Sequence, residues 1–245
     1  MKAMIFAAGL GTRLKPLTDR KPKALVELGG KTLLERSIGY LKSYGVSDIT
    51  INVHHYAQQI RDFLEQHHDF GLSIHVSDES DLLLDTGGGV LRAKRFLYGD
   101  GPILLINVDI LTNLDLNRLI AFHRESGALA SLVVRRRKTS RYLLFDQENR
   151  LSGWKNTTTG EQKVSRPKAV TSAVPMAFSG IHVIRPELLS LIVESGKFSI
   201  IDLYLRLSAS EKILAFYDQE SLWMDLGKYT DMNEAEELIR LFWEK

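Results

Sequence analysis

Short apolar runs along this chain alternate with stretches whose apolar residues recur every three to four positions. Ala3, Met4, Ile5, Phe6 and Ala7 form one such run, the length of a buried strand rather than a helix. Leu33, Leu34, Ile38 and Leu41 repeat at helical spacing, and Gly45 is placed to stop that helix. Residues 49–53 predict a second strand, 60–64 lie in a helix, and 72–76 predict a third strand. The segment 102–106 is apolar at every position, as in a strand covered on both faces. Asp115 can cap a helix carrying Leu116, Leu119 and Ile120, and 129–134 predict a further strand. This rhythm of strand and helix predicts an α/β fold with a mostly parallel sheet and helices on both faces.

The second half changes character. Residues 142–145 and 151–154 flank Gln147-Glu148-Asn149, which predicts a hairpin turn. Residues 156–172 are polar, with Gly160 and the run Thr157, Thr158, Thr159, and predict a long flexible loop of the kind that serves as a lid. Residues 174–184 return to strand, Pro186 suits the first turn of a helix, and 90–97 carry a helical pattern preceded by Gly87, Gly88 and Gly89. Met232, Ala235, Leu238, Ile239 and Phe242 predict a closing amphipathic helix. No internal repeat is visible.

The 245 residues, 44% of them hydrophobic, suffice for one large α/β domain with a full core. The formal net charge of +2 gives no reason to expect nucleic acid as a partner. The absence of Cys excludes disulfides and thiol catalysis and suits a reducing compartment. The chain starts directly on a strand with no leader pattern, and no apolar run is long enough to cross a bilayer. A cytoplasmic protein with no membrane partner, a monomer or a homodimer, is expected.

The first strand breaks into Gly9-Leu10-Gly11-Thr12-Arg13 and closes on Lys21-Pro22-Lys23. Glycine has no Cβ, so such a loop can bring backbone N–H groups close to an anion. Arg13 and Lys23 add two positive charges at the same end of the strand. A P-loop is excluded, because no Gly-Lys-Ser/Thr follows the glycines. A dinucleotide fold wants a third small residue where Leu14 stands, and an acid where the second strand ends Asn52-Val53-His54. Hydride transfer is therefore not expected. Open α/β sheets bind ligands at the carboxyl ends of their strands. Asp109 emerges there after the 103–106 strand, and Asp225 follows another short apolar segment. Asp85, Asp100, Asp115 and Asp202 read as caps, turn formers or solvated acids. His54 and His55 lack a partner at metal spacing, and Arg135-Arg136-Arg137-Lys138 reads as a solvated edge, with an oligomer contact or a ligand lid as lesser readings.

The loop resembles the signature of the sugar-1-phosphate nucleotidyltransferases: G-x-G-T-R-L-x-P-L-T, a spacer, then P-K. Gly9, Gly11, Thr12, Arg13, Leu14, Pro16, Leu17, Thr18, Pro22 and Lys23 fill every position. The resemblance covers nearly the whole chain. It is strongest over 3–23, moderate at 84–90, 107–109 and 223–227, and weak over 136–172.

This resemblance implies the Rossmann-like nucleotide-diphospho-sugar transferase fold as a single domain over 1–245. Its nucleotide-binding part would span about 1–135, and its sugar-binding part and lid about 136–245. It implies an enzyme whose partners are a nucleoside triphosphate and a sugar 1-phosphate, with Mg²⁺ as cofactor. Ala7, Ala8, Gly9, Gly11, Thr12, Gly87 and Gly88 would bind the nucleotide. Arg13 and Lys23 would act on the phosphates, Asp109 and Asp225 would hold the metal, and Lys155 and Gly180 would meet the sugar. Some members carry a hexapeptide-repeat β-helix after the catalytic domain; none is seen here, and no acyltransferase activity is expected.

The loop Thr86-Gly87-Gly88-Gly89 and the segment Phe178-Ser179-Gly180-Ile181 look most like the N-acetylmuramate-1-phosphate uridylyltransferases. Short mannose- or heptose-1-phosphate guanylyltransferases are also similar, and thymidylyltransferases less so. UTP is the expected triphosphate and GTP the alternative. A non-catalytic regulatory subunit on the same fold would lack one of Arg13, Lys23, Asp109 or Asp225, and all four are present.

Overall fold

The computed structural model describes residues 1–227 and 231–242. β1 (Lys2–Phe6) runs into the glycine loop, and a small hairpin of β2 (Glu27–Leu28) and β3 (Lys31–Thr32) then feeds α1 (Leu33–Ser43). The Thr32 hydroxyl accepts the Glu35 N–H at 3.0 Å and caps α1. Gly45, at φ +75°, ends it. β4 (Asp48–Val53), α2 (Ala57–Gln66), β5 (Ser73–Asp78), α3 (Asp85–Leu97) and β6 (Ile103–Asn107) continue the alternation. β7 (Ile110–Thr112), α4 (Leu116–Ser126) and β8 (Ala130–Arg135) follow. Asp115 accepts the Asn117 N–H at 2.9 Å, so the expected cap of α4 is present.

The second half comprises β9 (Arg141–Phe145), β10 (Leu151–Asn156), β11 (Gln162–Val164), α5 (Pro167–Val170) and β12 (Val174–Ile184). It closes with α6 (Ile200–Leu207), β13 (Ile213–Tyr217), β14 (Trp223–Asp225) and α7 (Asp231–Phe242). The strand order across the main sheet is β11-β10-β9-β12-β6-β1-β4-β5, with β8 beside β12 and β13 outside β8. Strands β6, β1, β4 and β5 are mutually parallel. The chain leaves β1 toward β4 on one side and returns through β6 on the other. The carboxyl ends of β1 and β6 therefore flank the switch point where open α/β sheets bind ligands.

β6 shows why its sequence is apolar throughout. Ile103, Leu104, Leu105 and Ile106 are fully buried, alternately against two layers. Leu34 and Ile38 of α1, Leu119 of α4 and Ile239 of α7 belong to one layer. Val90 and Leu97 of α3 and Leu203 and Tyr204 of α6 belong to the other. Ala235 and Ile239 are buried as the amphipathic pattern of α7 requires, while the side chains of Met232 and Phe242 lie outside the described residues. Among the described residues no helix is long and apolar enough to cross a membrane.

The expected mostly parallel sheet with flanking helices is present, and its second half adds antiparallel pairings of β12 with β6, β8 and β9. Two expectations are corrected. Residues 156–172 are not one loop: β11 returns against β10, with Trp154 opposite Lys163, and α5 follows. α3 starts at Asp85 and takes in the three glycines, five residues before the expected apolar pattern begins.

Candidate functional site

The loop after β1 is fixed by its own residues. Gly11 adopts φ +64°, and a Cβ there would lie 2.9 Å from Thr18 Cγ2 and 3.1 Å from Lys23 Cβ, so only glycine fits. The Gly11 carbonyl accepts the Thr18 hydroxyl and the Leu14 N–H, both at 2.9 Å. Leu14 is fully buried and pins the loop to the core. Ala7, Ala8, Gly9, Gly11, Thr12 and Arg13 form one wall of a cavity of about 460 Å³ at the β1–β6 switch point. Lys23 and Asp109 line it too, as do Asn52, Glu79, Thr86 and Lys197.

Lys23 is buried and donates a charged hydrogen bond to Asp109 Oδ2. Asp109 sits between β6 and β7, and β14 pairs antiparallel with β7, placing Asp225 opposite Ile110. The Leu226 N–H donates to the Asp109 carbonyl at 2.9 Å. The two aspartates are therefore neighbours across a short ladder. Burial pushes the Asp225 carboxyl up, and the Asp109 charge adds to that; Lys23, Arg13 and Arg137 pull it back. Asp225 Oδ1 is buried without a hydrogen-bond partner. A buried acid beside a second acid, with one oxygen unsatisfied, is an environment that a cation relieves.

Mg²⁺ takes oxygen ligands, commonly one or two carboxylates with phosphate and water completing the set. The pair fits that requirement. Among the described residues no group of three or more His, Cys, Asp or Glu converges to make a closed protein cage. At Gly227 a Cβ would lie 2.9 Å from Asp225 Oδ1 and 3.1 Å from the Arg13 guanidinium, so glycine lets Arg13 approach the acid.

Gly87 and Gly88 are not among the residues lining the cavity and pack against the 196–198 segment. Gly87 and Gly88 are buried, and their N–H groups donate to the Phe198 carbonyl at 2.9 and 3.2 Å. Those are orphan donors of the first turn of α3, satisfied by a distant carbonyl. A Cβ on Gly87 would collide with the Phe198 ring and one on Gly88 with the Gly196 carbonyl. The cavity wall beside them comes instead from Leu83, Asp85 and Thr86. Gly89 leaves room for a buried pair: its Cβ would lie 2.9 Å from Glu79 Oε1 and 3.0 Å from Asn52 Nδ2.

Asn52 donates to Glu79 at 2.7 Å and accepts the Ala7 N–H at 2.8 Å, while Glu79 accepts the Leu84 N–H at 3.1 Å. This network ties the phosphate loop to the segment before α3. Burial pushes the Glu79 carboxyl up, and its hydrogen bonds to Asn52 and Leu84 oppose the shift.

Lys155 and Gly180 lie away from the cavity lining. Lys155, near the end of β10, has its ammonium 5.8 Å from the Tyr142 ring centroid. Gly180 adopts φ +76°, and its Cβ would stand 2.9 Å from Asn107 Nδ2, so it supports a cavity residue from behind.

The basic run at 135–138 is not a solvated edge throughout. Arg135 is buried and donates to Asp218 at 3.2 Å and to the Ser221 carbonyl at 2.8 Å. Arg137 is half-buried, stacks over Trp223 and feels the Asp225 charge. Sequence reasoning missed both because nothing in a run of like charges says which members turn inward. It also missed Lys197, which reaches the cavity from an irregular segment. The one signal for Asn52 was a polar residue ending an apolar strand.

The nucleotidyl transferase family pattern matches residues 2–240. An N-acetylmuramate alpha-1-phosphate uridylyltransferase of Caulobacter vibrioides is 32% identical over 235 residues, covering 92% of this chain and 91% of that protein. A probable mannose-1-phosphate guanylyltransferase of Oryza sativa subsp. japonica is 29% identical over 94% of this chain and 62% of its own length. Among solved structures, a putative glucose-1-phosphate thymidylyltransferase of Bacillus anthracis superposes with a TM-score of 0.78 at 19% identity, covering 98% of this chain and 95% of that one. The chain belongs to the nucleotidyl transferase family, and its activity is sugar-1-phosphate nucleotidyl transfer.

Proposed function

We propose that this enzyme joins UTP to N-acetylmuramate 1-phosphate, releasing pyrophosphate. The observation that carries the chemistry is the meeting of Arg13, Lys23, Asp109 and Asp225 at one switch point. The base and sugar rest on the uridylyltransferase relative, which matches along nearly its whole length. A phosphate oxygen of the sugar 1-phosphate bonds to the α-phosphorus as the bond to the β-phosphate bridging oxygen breaks. The attacking oxygen is already anionic, so no protein nucleophile or base is needed; catalysis is orientation and charge stabilisation. Arg13 holds the departing pyrophosphate, and Lys23, released from Asp109 by the incoming phosphate, steadies the reacting centre. Asp109 and Asp225 would hold Mg²⁺, which when bound neutralises charge on the phosphates.

GTP with mannose 1-phosphate is the second reading, supported by the plant relative. A panel of triphosphates against sugar phosphates, followed by pyrophosphate release, separates them. The uridylyl reading requires kcat/KM for UTP with N-acetylmuramate 1-phosphate to lead by about tenfold or more, the discrimination expected of a site built for one donor–acceptor pattern. A lead of that size for GTP with mannose 1-phosphate rejects it and leaves nucleotidyl transfer intact.

A further inference from the structure

The two aspartates reach the site by different means. Asp109 follows β6, a strand buried at the centre of the sheet, whereas Asp225 hangs on the three-residue strand β14. So short a ladder fixes a side chain poorly, and β14 is held from its other end. Trp223, two residues before Asp225, lies on the same face of the strand. Its indole N–H donates to the Ser179 carbonyl at 2.8 Å. Arg137 donates to the adjacent Phe178 carbonyl at 3.0 Å and stacks on the Trp223 ring at 4.4 Å.

Phe178 and Ser179 belong to the bulge of β12, where the register against β8 slips between Phe178 and His182. A bulge releases carbonyls from the ladder. The two stacked side chains grip both of the adjacent carbonyls, and the guanidinium is within electrostatic reach of Asp225. We infer that Arg137 and Trp223 form a clamp between the β12 bulge and β14 that positions the Asp225 carboxylate for the metal, making Arg137 a positioning residue of the reaction. The inference rests on Asp225 being a metal carboxylate.

The test compares Arg137→Ala, Arg137→Lys and Trp223→Phe with wild type and with Asp225→Asn. Mn²⁺ binding is followed by the electron paramagnetic resonance of the free ion, alongside Mg²⁺ activation curves and thermal unfolding. Arg137→Ala should weaken Mn²⁺ binding about tenfold or more, the usual effect of removing a group that orients a metal ligand. It should raise the Mg²⁺ needed for half-activity by the same factor, while kcat at saturating Mg²⁺ falls much less. Trp223→Phe keeps the stacking surface but loses the N–H; it should show a smaller loss of the same kind, and Arg137→Lys should recover part of the affinity.

Asp225→Asn separates the premises. If it binds Mn²⁺ as wild type does, the metal role of Asp225 falls and the clamp with it. If it loses Mn²⁺ while folded Arg137 and Trp223 variants keep wild-type affinity, the clamp is wrong and the metal reading stands. Should Arg137→Ala fail to fold, wild-type affinity in both Arg137→Lys and Trp223→Phe is equally decisive against it.

Discussion

Asp225 is held at a cost to the folded chain. Its carboxyl is pushed up by burial and by Asp109, so its ionised form is less welcome in the fold than in the unfolded chain. The sign follows from linkage: a carboxylate with a raised folded pKa subtracts stability at neutral pH and stops doing so as acid protonates it. Asp225→Asn removes the charge and keeps the shape. In metal-free protein it should therefore raise the unfolding temperature, yet with substrates and Mg²⁺ turnover should fall about a thousandfold, several kcal/mol of lost transition-state stabilisation. A folded variant with lower stability and near-normal turnover would place Asp225 outside the site. Gly11, Leu14 and Thr18 show how the loop signature is legible residue by residue, since each meets a local steric or hydrogen-bonding demand. Arg137 was not legible, because its role depends on a ring and two carbonyls far away in sequence.

At the level of elements, periodicity succeeded where one partner dictates the pattern and failed where two distant segments share the work. β6 announced itself because both faces are covered, and α4 because Asp115 and its apolar stripe are local. The start of α3 was hidden, since glycines carry no helical signal and their first-turn donors are satisfied by Phe198, more than a hundred residues on. The hairpin of β10 and β11 was hidden as well, because β11 is exposed along its length and so has no apolar alternation. The helix start makes its own prediction. Gly88→Ala would drive a methyl group into the Gly196 carbonyl, a backbone atom that cannot rotate away. The 196–198 segment must then shift, carrying Lys197 and the edge of the cavity with it. We expect a loss of about 1–3 kcal/mol of stability, typical of overpacking, together with a higher KM for substrate. Crystals of the variant showing 196–198 unmoved, with wild-type KM, would mean that the triple glycine serves the ligand rather than this packing contact.

Taken whole, the sheet is parallel across β6, β1, β4 and β5 and is joined through β12 by antiparallel pairings, and two neutral histidines are buried in the fold. The sequence read the parallel half closely, because a βαβ unit repeats one local pattern, but it left the join between halves open, since β12 pairs with strands from both. His182 lies in that join. Its Nδ1 is 2.6 Å from the Tyr204 hydroxyl, and burial pulls its pKa from 6.5 down to about 3. His123 on α4 sits 2.9 Å from the Ser131 hydroxyl; burial first, then the charges of Arg185 and Arg124, bring it to about 4. Both are neutral in the fold and free to protonate at 6.5 once it opens. Above that pH neither state binds the extra protons, so they impose no pH dependence. As pH falls from 6.5 toward 4 the unfolded chain binds up to two more protons than the native one, and stability must fall. Each histidine should cost about 2 kcal/mol at pH 5, a pH-unit and a half below its free value at roughly 1.36 kcal/mol per unit. Raised carboxyls such as Glu79 and Asp225 act in the opposite direction as they protonate. Removing one histidine isolates its share: urea unfolding of His123→Gln at pH 5, 6 and 7 should show a shallower loss of stability than wild type, by about one proton's slope. Parallel pH profiles for variant and wild type would show that His123 titrates alike in both states and is not held neutral by the fold.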